Sequence, residues 1–141
     1  MSLSIRRAGA ADRDAVWRIM EPIIRAGETY ALPRDMAKAD ATHGETVAKV
    51  CLQCHTFGKG EANKIGPNLF GVVADENIAS VPGYTFSSAL LADKDKKWDP
   101  DELNVWLWKP QEFARGTKMT FAGLPKAQDR ADVIAYLQSL K

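Results

Sequence analysis

Apolar residues first fall at helical spacing at Val16, Ile19, Met20, Ile23 and Ile24, with Asp12 placed to cap a helix before them. Pro22 lies inside that stripe and should kink or end the helix near Glu21. Leu3–Arg7 reads as a short strand, and residues 25–41 read as loop and linker, broken at Gly27 and Pro33. The pattern restarts at Thr42. There Thr42-x-x-Glu45 has the form of a capping box, leading into a helix through Val47 and Val50. The stretch "GKGEANKIGPNLFGVVADENIASVPGY" shows little periodicity and predicts a long loop, of the kind that usually carries function. A short helix fits Ser87–Ala92. Asp99-Pro100-Asp101-Glu102 is a strong helix start, with Leu103, Trp106 and Leu107 on one face and Pro110 ending the element. "EFARGTKMTFAGL" predicts loop again. A last helix runs from about Lys126, with Val133, Tyr136, Leu137 and Leu140 on one face. The second part of the chain is therefore all-α with long connections. That suits loops wrapped around a large apolar ligand.

Length and composition narrow the possibilities. The 141 residues suffice for one domain with its own core and are too few for two. The formal net charge of +1 argues against nucleic-acid binding, and no apolar run approaches the roughly 20 residues that span a bilayer. Residues 1–40 hold seven basic and six acidic side chains, and residues 41–141 hold twelve of each. Any docking surface on the second part must then come from local patches. Cys51 and Cys54 are the only cysteines, so no disulfide framework builds the fold.

Those cysteines lie in "CLQCH", residues 51–55, where several chemistries compete. Structural zinc wants four ligands, and the chain adds only His43 and carboxylates. A thioredoxin-like dithiol wants a strand-to-helix junction, whereas this motif follows a helix. Two small buried cysteines beside a chance histidine would leave the adjacency and the long loops unexplained. The haem reading uses every group. One helical turn separates the thiols, which suits thioether bonds to two edges of one porphyrin, and His55 follows as proximal ligand. A carbonyl in the next loop, Pro67 in "IGPNLFG", is placed to accept the second ring N–H and set the tautomer.

Taken together, "CLQCHTF", "NKIGPNLFGV", "PGYTFSSAL", the lone Trp98, "LWKP", "GTKMTFAGL" and "DVIAYLQSL" resemble, in order, the class I c-type cytochromes of mitochondria and alpha-proteobacteria. The resemblance covers about residues 41–141. It implies an all-α fold of helices and long loops wrapped around one covalent haem c, and the role of a one-electron carrier, not an enzyme. It implies Met119 of "GTKM" as the second axial ligand. Met1, Met20 and Met36 all precede the motif, which agrees with that choice. By the same resemblance Trp98 and Thr117 contact haem propionates, and Gly44 lets the first and last helices cross closely. The chain also departs from the family. Phe86 and Trp106 stand where tyrosines are usual and Leu90 where an asparagine is usual. Asp75 and Glu76 fall near a customary arginine, and Val47 and Ala48 replace a first-helix phenylalanine. The resemblance further implies membrane-bound or soluble redox partners of the cytochrome reductase and oxidase type, and no nucleic acid. It also implies no stable membrane insertion, and a place in the periplasm or the mitochondrial intermembrane space. Lys59, Lys64, Lys109, Lys118 and Lys126 are candidate docking groups, and His43 reads as a solvated side chain. The alternative is a haem peroxidase or redox sensor in which Met119 is displaced.

The first part, residues 1–38, is expected to be an extension outside the cytochrome domain of residues 39–141. Its opening resembles the first strand and helix of GNAT-superfamily acetyltransferases over about 35 residues. The acetyl-CoA-binding loop of that superfamily is absent, so acetyltransferase activity is not implied. Acidic residues interrupt it and it lacks a 7–15-residue apolar core, so no signal peptide is recognised. Ala37-Lys38-Ala39 nevertheless resembles a cleavage site, and a fused or substituted leader is the simplest account of the join, whether natural, engineered or a gene-model error.

Overall fold

The structure, a computed structural model, describes residues 38–73 and 77–141. The strand expected at Leu3–Arg7, the Val16–Ile24 helix with its break at Pro22, and the Asp75–Glu76 departure lie outside the described residues. Helix α1 spans Ala41–Ala48 and tightens into a 3-10 turn over Lys49–Gln53. Helix α2 is Ser88–Leu91, α3 is Pro100–Trp108, α4 is Pro110–Phe113 and α5 is Ala127–Ser139. Among the described residues the only β-type pairings are isolated bridges, Thr56 with Asn68 and Asn77 with Lys97. The described part is all-α, with long connections.

The capping box expected at Thr42 is not the start of α1. Asp40 is the N-cap, its carboxylate accepting from the Thr42 N–H at 2.8 Å and the His43 N–H at 3.3 Å. A carboxylate two residues upstream satisfies two donors at once, and it complements the helix dipole better than a hydroxyl. Asp99 and Ser87 cap α3 and α2, by accepting from the Glu102 and Leu90 N–H groups. Pro110 ends α3, as its missing donor requires, but it also opens α4 inside a stretch that reads as loop. The fixed φ of proline suits a first helical position, and the Phe113 and Ala114 N–H groups close the turn on Lys109 O and Pro110 O.

α1 packs chiefly against α5, and α3 packs on α5 as well. Gly44 makes the first crossing possible, since a Cβ there would lie 1.9 Å from Asp132 O and 3.0 Å from Tyr136 Cβ. The core between these helices includes Ala48, Leu103, Leu107, Val133, Ile134 and Leu137, all buried. Two polar clusters lock the frame. Asp132, only 2 % exposed, accepts from the Asp40 N–H and Gln128 Nε2, each at 2.8 Å, and pairs with His43 Nδ1 at 2.7 Å. Arg130, also buried, donates Nε to Asn104 Oδ1 on α3 and Nη1 to Leu124 O and Pro125 O, each within 3.0 Å. Burial lowers the Arg130 pKa, and the charge of Asp129 works the other way. The loop before α5 is thereby fixed to α3. Gly123, at φ +102°, lets it pass so close that a Cβ would meet Trp108 O, and the Leu124 N–H donates to Leu107 O at 2.7 Å.

Candidate functional site

The helices and loops enclose an apolar cavity of about 940 Å³, open mouth included. Cys51, His55, Pro67, Trp98, Thr117 and Met119 all line it. Cys54 is half-buried at the C-cap of the 3-10 turn and is not among the lining residues.

The 3-10 turn sets the motif's shape. Cys51 O accepts from both the Cys54 and His55 N–H groups, at 3.0 and 2.9 Å. Cys51 and Cys54 are both free. Burial pushes the Cys51 thiol above its ordinary pKa, and the neighbouring Cys54 adds to this, while a hydrogen bond to its own backbone works the other way. Among the described residues no group of three or more His, Cys, Asp or Glu side chains could hold a metal ion, which leaves structural zinc without its ligands.

His55 is buried, and its Nδ1–H donates to Pro67 O at 2.7 Å. A carbonyl can only accept, so the proton belongs on Nδ1 and the Nε2 lone pair is left for a metal. Burial lowers the His55 pKa, partly countered by the Pro67 bond, and keeps the ring neutral as metal ligation requires. The loop that presents Pro67 O is held tightly. The Gly66 N–H donates to Cys54 O at 2.7 Å and the Leu69 N–H to Thr56 O at 2.8 Å. Asn68 donates to Thr56 Oγ1 and Gly58 O and accepts from the Phe70 N–H. Gly66 itself lies flat against the imidazole, since a Cβ there would sit 2.4 Å from His55 Cε1.

Met119 reaches the cavity from the loop between α4 and α5. Thr117, buried, accepts on Oγ1 from the Met119 N–H at 3.3 Å, and its own N–H donates to Ala114 O. Lys118 Nζ donates to Thr85 O at 2.8 Å, tying this loop to the segment around Phe86. That segment is tied in turn to the His55 side, where Asn63 Nδ2 donates to Pro82 O and the Tyr84 hydroxyl donates to Ile65 O.

Trp98 sits in an aromatic cluster, its ring centroid 5.6 Å from Trp106 and 5.9 Å from Phe113. Phe86, Leu90 and Trp106, at the positions where the chain departs from the resembled family, all line the cavity. They make its wall more apolar than their customary counterparts would.

One expectation changes. His43 is not simply solvated, because its half-exposed ring pairs with the buried Asp132 carboxylate and so belongs to the α1–α5 crossing. The candidate docking lysines already have intramolecular partners in four cases. Lys59 lies 6.0 Å from the Phe70 ring, Lys64 donates to Leu52 O, Lys109 pairs with Glu112 and lies over Trp108, and Lys118 holds Thr85 O. Gly66, Asn68, Arg130 and Gln111 (whose amide bonds Thr117 O and Met119 O) escaped the sequence reading. Their roles come from contacts with other segments, which no local pattern encodes.

The residues present fit a haem. The cavity is large and apolar, a neutral imidazole with its Nδ1 proton held lines it, and a thioether and a thiol line it too. No helix among the described residues is long and apolar enough to cross a membrane.

Comparison with known proteins agrees. The family model for cytochrome c matches residues 41–141. A cytochrome c homolog of Bradyrhizobium diazoefficiens is 47% identical over 115 residues, covering 82% of this chain and 62% of its own length. A cytochrome c homolog of Rickettsia bellii is 44% identical over 126 residues, covering 89% of this chain and 72% of its own. The cytochrome c of Stellaria longipes is 44% identical over 102 residues, covering 72% of this chain and 93% of its own. This chain thus spans less than two thirds of the length of the Bradyrhizobium relative.

Proposed function

The chain belongs to the cytochrome c family, whose cofactor is one covalently attached haem c, and we propose that it is a one-electron carrier with His55 and Met119 as axial ligands. In this reading Cys51 and Cys54 form the thioether bonds. When bound, the haem supplies an iron that exchanges a single electron between its ferrous and ferric forms. The chain's own residues do the rest. Pro67 O holds the His55 proton and so fixes the imidazole's tautomer and plane. The soft sulfur of Met119 favours the ferrous state and raises the potential. The apolar wall built by Phe86, Leu90 and Trp106 acts in the same direction, because it disfavours the extra charge of ferric iron. Trp98 and Thr117 are the polar groups of the lining assigned to the propionates.

The single observation that carries the reading is that a buried His55 with its Nδ1–H engaged by Pro67 O lines the same cavity as Met119. With haem bound, His55 and Met119 would both be held toward the iron, and an iron with two protein ligands would exchange electrons without offering oxygen or peroxide a place to bind. We assign the haem domain to residues 39–141 and regard residues 1–38 as an extension. The partners are redox proteins of the reductase and oxidase type, met in the periplasm or an intermembrane space.

The test is Met119→Ala in the holo-protein. The ferric wild type should show the sulfur-to-iron charge-transfer band, and the variant should lose it, drop in potential and bind cyanide. A variant with unchanged spectrum and no added cyanide binding would show that another residue is the ligand. Wild-type protein that binds cyanide as readily as the variant would favour a sensor or peroxidase.

A further inference from the structure

Between α4 and α5 the chain has no helix, yet this is the segment that carries Met119. Its internal bonds are few. The Thr117 N–H donates to Ala114 O and the Met119 N–H to Thr117 Oγ1, while Gly116 turns the chain at φ +91°. Gln111 supplies what is missing. Its Nε2 donates to Thr117 O at 3.1 Å and to Met119 O at 2.8 Å, the two carbonyls on either side of Lys118. An amide nitrogen carries two hydrogens, so both bonds form at once, and only the –NH2 end of the side chain can face two acceptors. The backbone of Met119 is then held at both ends, its N–H by Thr117 and its C=O by Gln111.

The clamp has a firm base. Gln111 is the second residue of α4, directly after the fully buried Pro110. Two residues later Phe113 packs against Trp98 and, edge-on at 5.6 Å, against Trp106. A four-residue turn pinned in the core on both sides of Gln111 can hold a loop that has no regular structure of its own.

We propose that Gln111 is a positioning residue for the Met119 sulfur, and that it sets how often the Met119 loop opens. The proposal rests on Met119 being the axial ligand. Gln111 is not itself a lining residue of the cavity and acts through the carbonyls of two residues that are, Thr117 and Met119. Losing a net hydrogen bond shifts an equilibrium by about five-fold, and two partly exposed ones together by roughly five- to thirty-fold.

The experiment uses full-length ferric holo-protein and imidazole as entering ligand. Compared are wild type, Gln111→Leu, Gln111→Glu (which presents acceptors to two carbonyls) and Gln111→Arg (which restores donors of similar reach). The saturating rate of imidazole binding should rise roughly five- to thirty-fold in Gln111→Leu, at least as much in Gln111→Glu, and return toward wild type in Gln111→Arg. All variants should keep the charge-transfer band without imidazole, and Gln111→Leu should lose no more unfolding stability than the fold-change in its imidazole rate corresponds to, because opening and unfolding break the same two bonds. Equal imidazole rates in wild type, Leu and Glu variants overturn the clamp. A loss of unfolding stability well beyond the fold-change in rate, or one that Gln111→Arg does not recover along with the rate, reduces Gln111 to general stability and also overturns it. A wild type without the charge-transfer band, binding imidazole without delay, overturns the Met119 assignment instead and removes the clamp with it.

Discussion

Substituting Gly44 by alanine tests the frame that holds the cavity. The new Cβ would lie 1.9 Å from Asp132 O, a backbone atom inside α5 that no rotamer change can move aside. Ordinary contact needs about 3.5 Å, so α1 and α5 must separate by roughly 1.5 Å. Alanine gains up to about 1 kcal/mol of helix propensity over glycine. Against that, overpacking a tight contact costs about 1–3 kcal/mol. The separation also stretches the Asp40 N–H and His43 bonds to Asp132, now 2.8 and 2.7 Å. Leaving that buried carboxylate short of donors costs about 1–3 kcal/mol more. The net expectation is a loss of roughly 1–5 kcal/mol, a large share of the 5–15 kcal/mol typical of a domain. Guanidinium denaturation of the holo-protein, followed by far-ultraviolet circular dichroism, measures it, with Glu45→Ala on the exposed side of α1 as control. A Gly44→Ala midpoint equal to or above wild type would mean that the helices have room to spare and that this glycine does not set the crossing.

Three further perturbations probe other joints of the account. Gly66→Ala puts a Cβ 2.4 Å from the His55 ring, so the imidazole must turn away from Pro67 O; the holo-protein should lose about 1–3 kcal/mol of stability, and an unchanged midpoint would show that the loop yields instead. Burial raises the Asp132 pKa, but the bonds from the Asp40 N–H, Gln128 and His43 outweigh it, so the folded pKa lies below the ordinary value. The stability Asp132 contributes is therefore complete above the unfolded pKa of about 3.9 and is lost as pH falls through the lower folded value. The stability gap between wild type and Asp132→Asn should accordingly be constant at neutral pH and shrink on acidification; a gap independent of pH refutes the sign. Replacing residues 1–38 by a working secretion signal should yield holo-protein with the same charge-transfer band and potential, whereas a product unable to hold haem would make that segment part of the domain.

Much of the frame was legible because it is local. Asp99, Pro100 and Glu102 announce α3 within four residues, and Leu103, Trp106 and Leu107 mark its buried face. "CLQCH" gives its chemistry within five residues, and the Pro67 carbonyl lies only twelve residues beyond His55. Errors arose where one residue can serve two local purposes. Pro110 both ends α3 and begins α4, and Asp40 competes with Thr42 for the same helix start. The illegible part is non-local. His43 meets Asp132 across 89 residues of chain, and Arg130 reaches Asn104 on another helix. Gly66 and Gln111 look like an ordinary loop glycine and an ordinary surface glutamine. Only their packing on His55 and on the Met119 peptide gives them roles.

The central claim is a closed, reversible one-electron centre, and the most direct measurement is a spectroelectrochemical titration of the purified holo-protein under carbon monoxide. If His55 and Met119 are both ligands in either oxidation state, there should be one reversible wave with a one-electron slope, its midpoint the same with and without carbon monoxide. A midpoint that moves upward under carbon monoxide, with a ferrous spectrum of the bound gas, would contradict it: the iron would then be open, and the protein a ligand-binding or catalytic haem protein rather than a carrier.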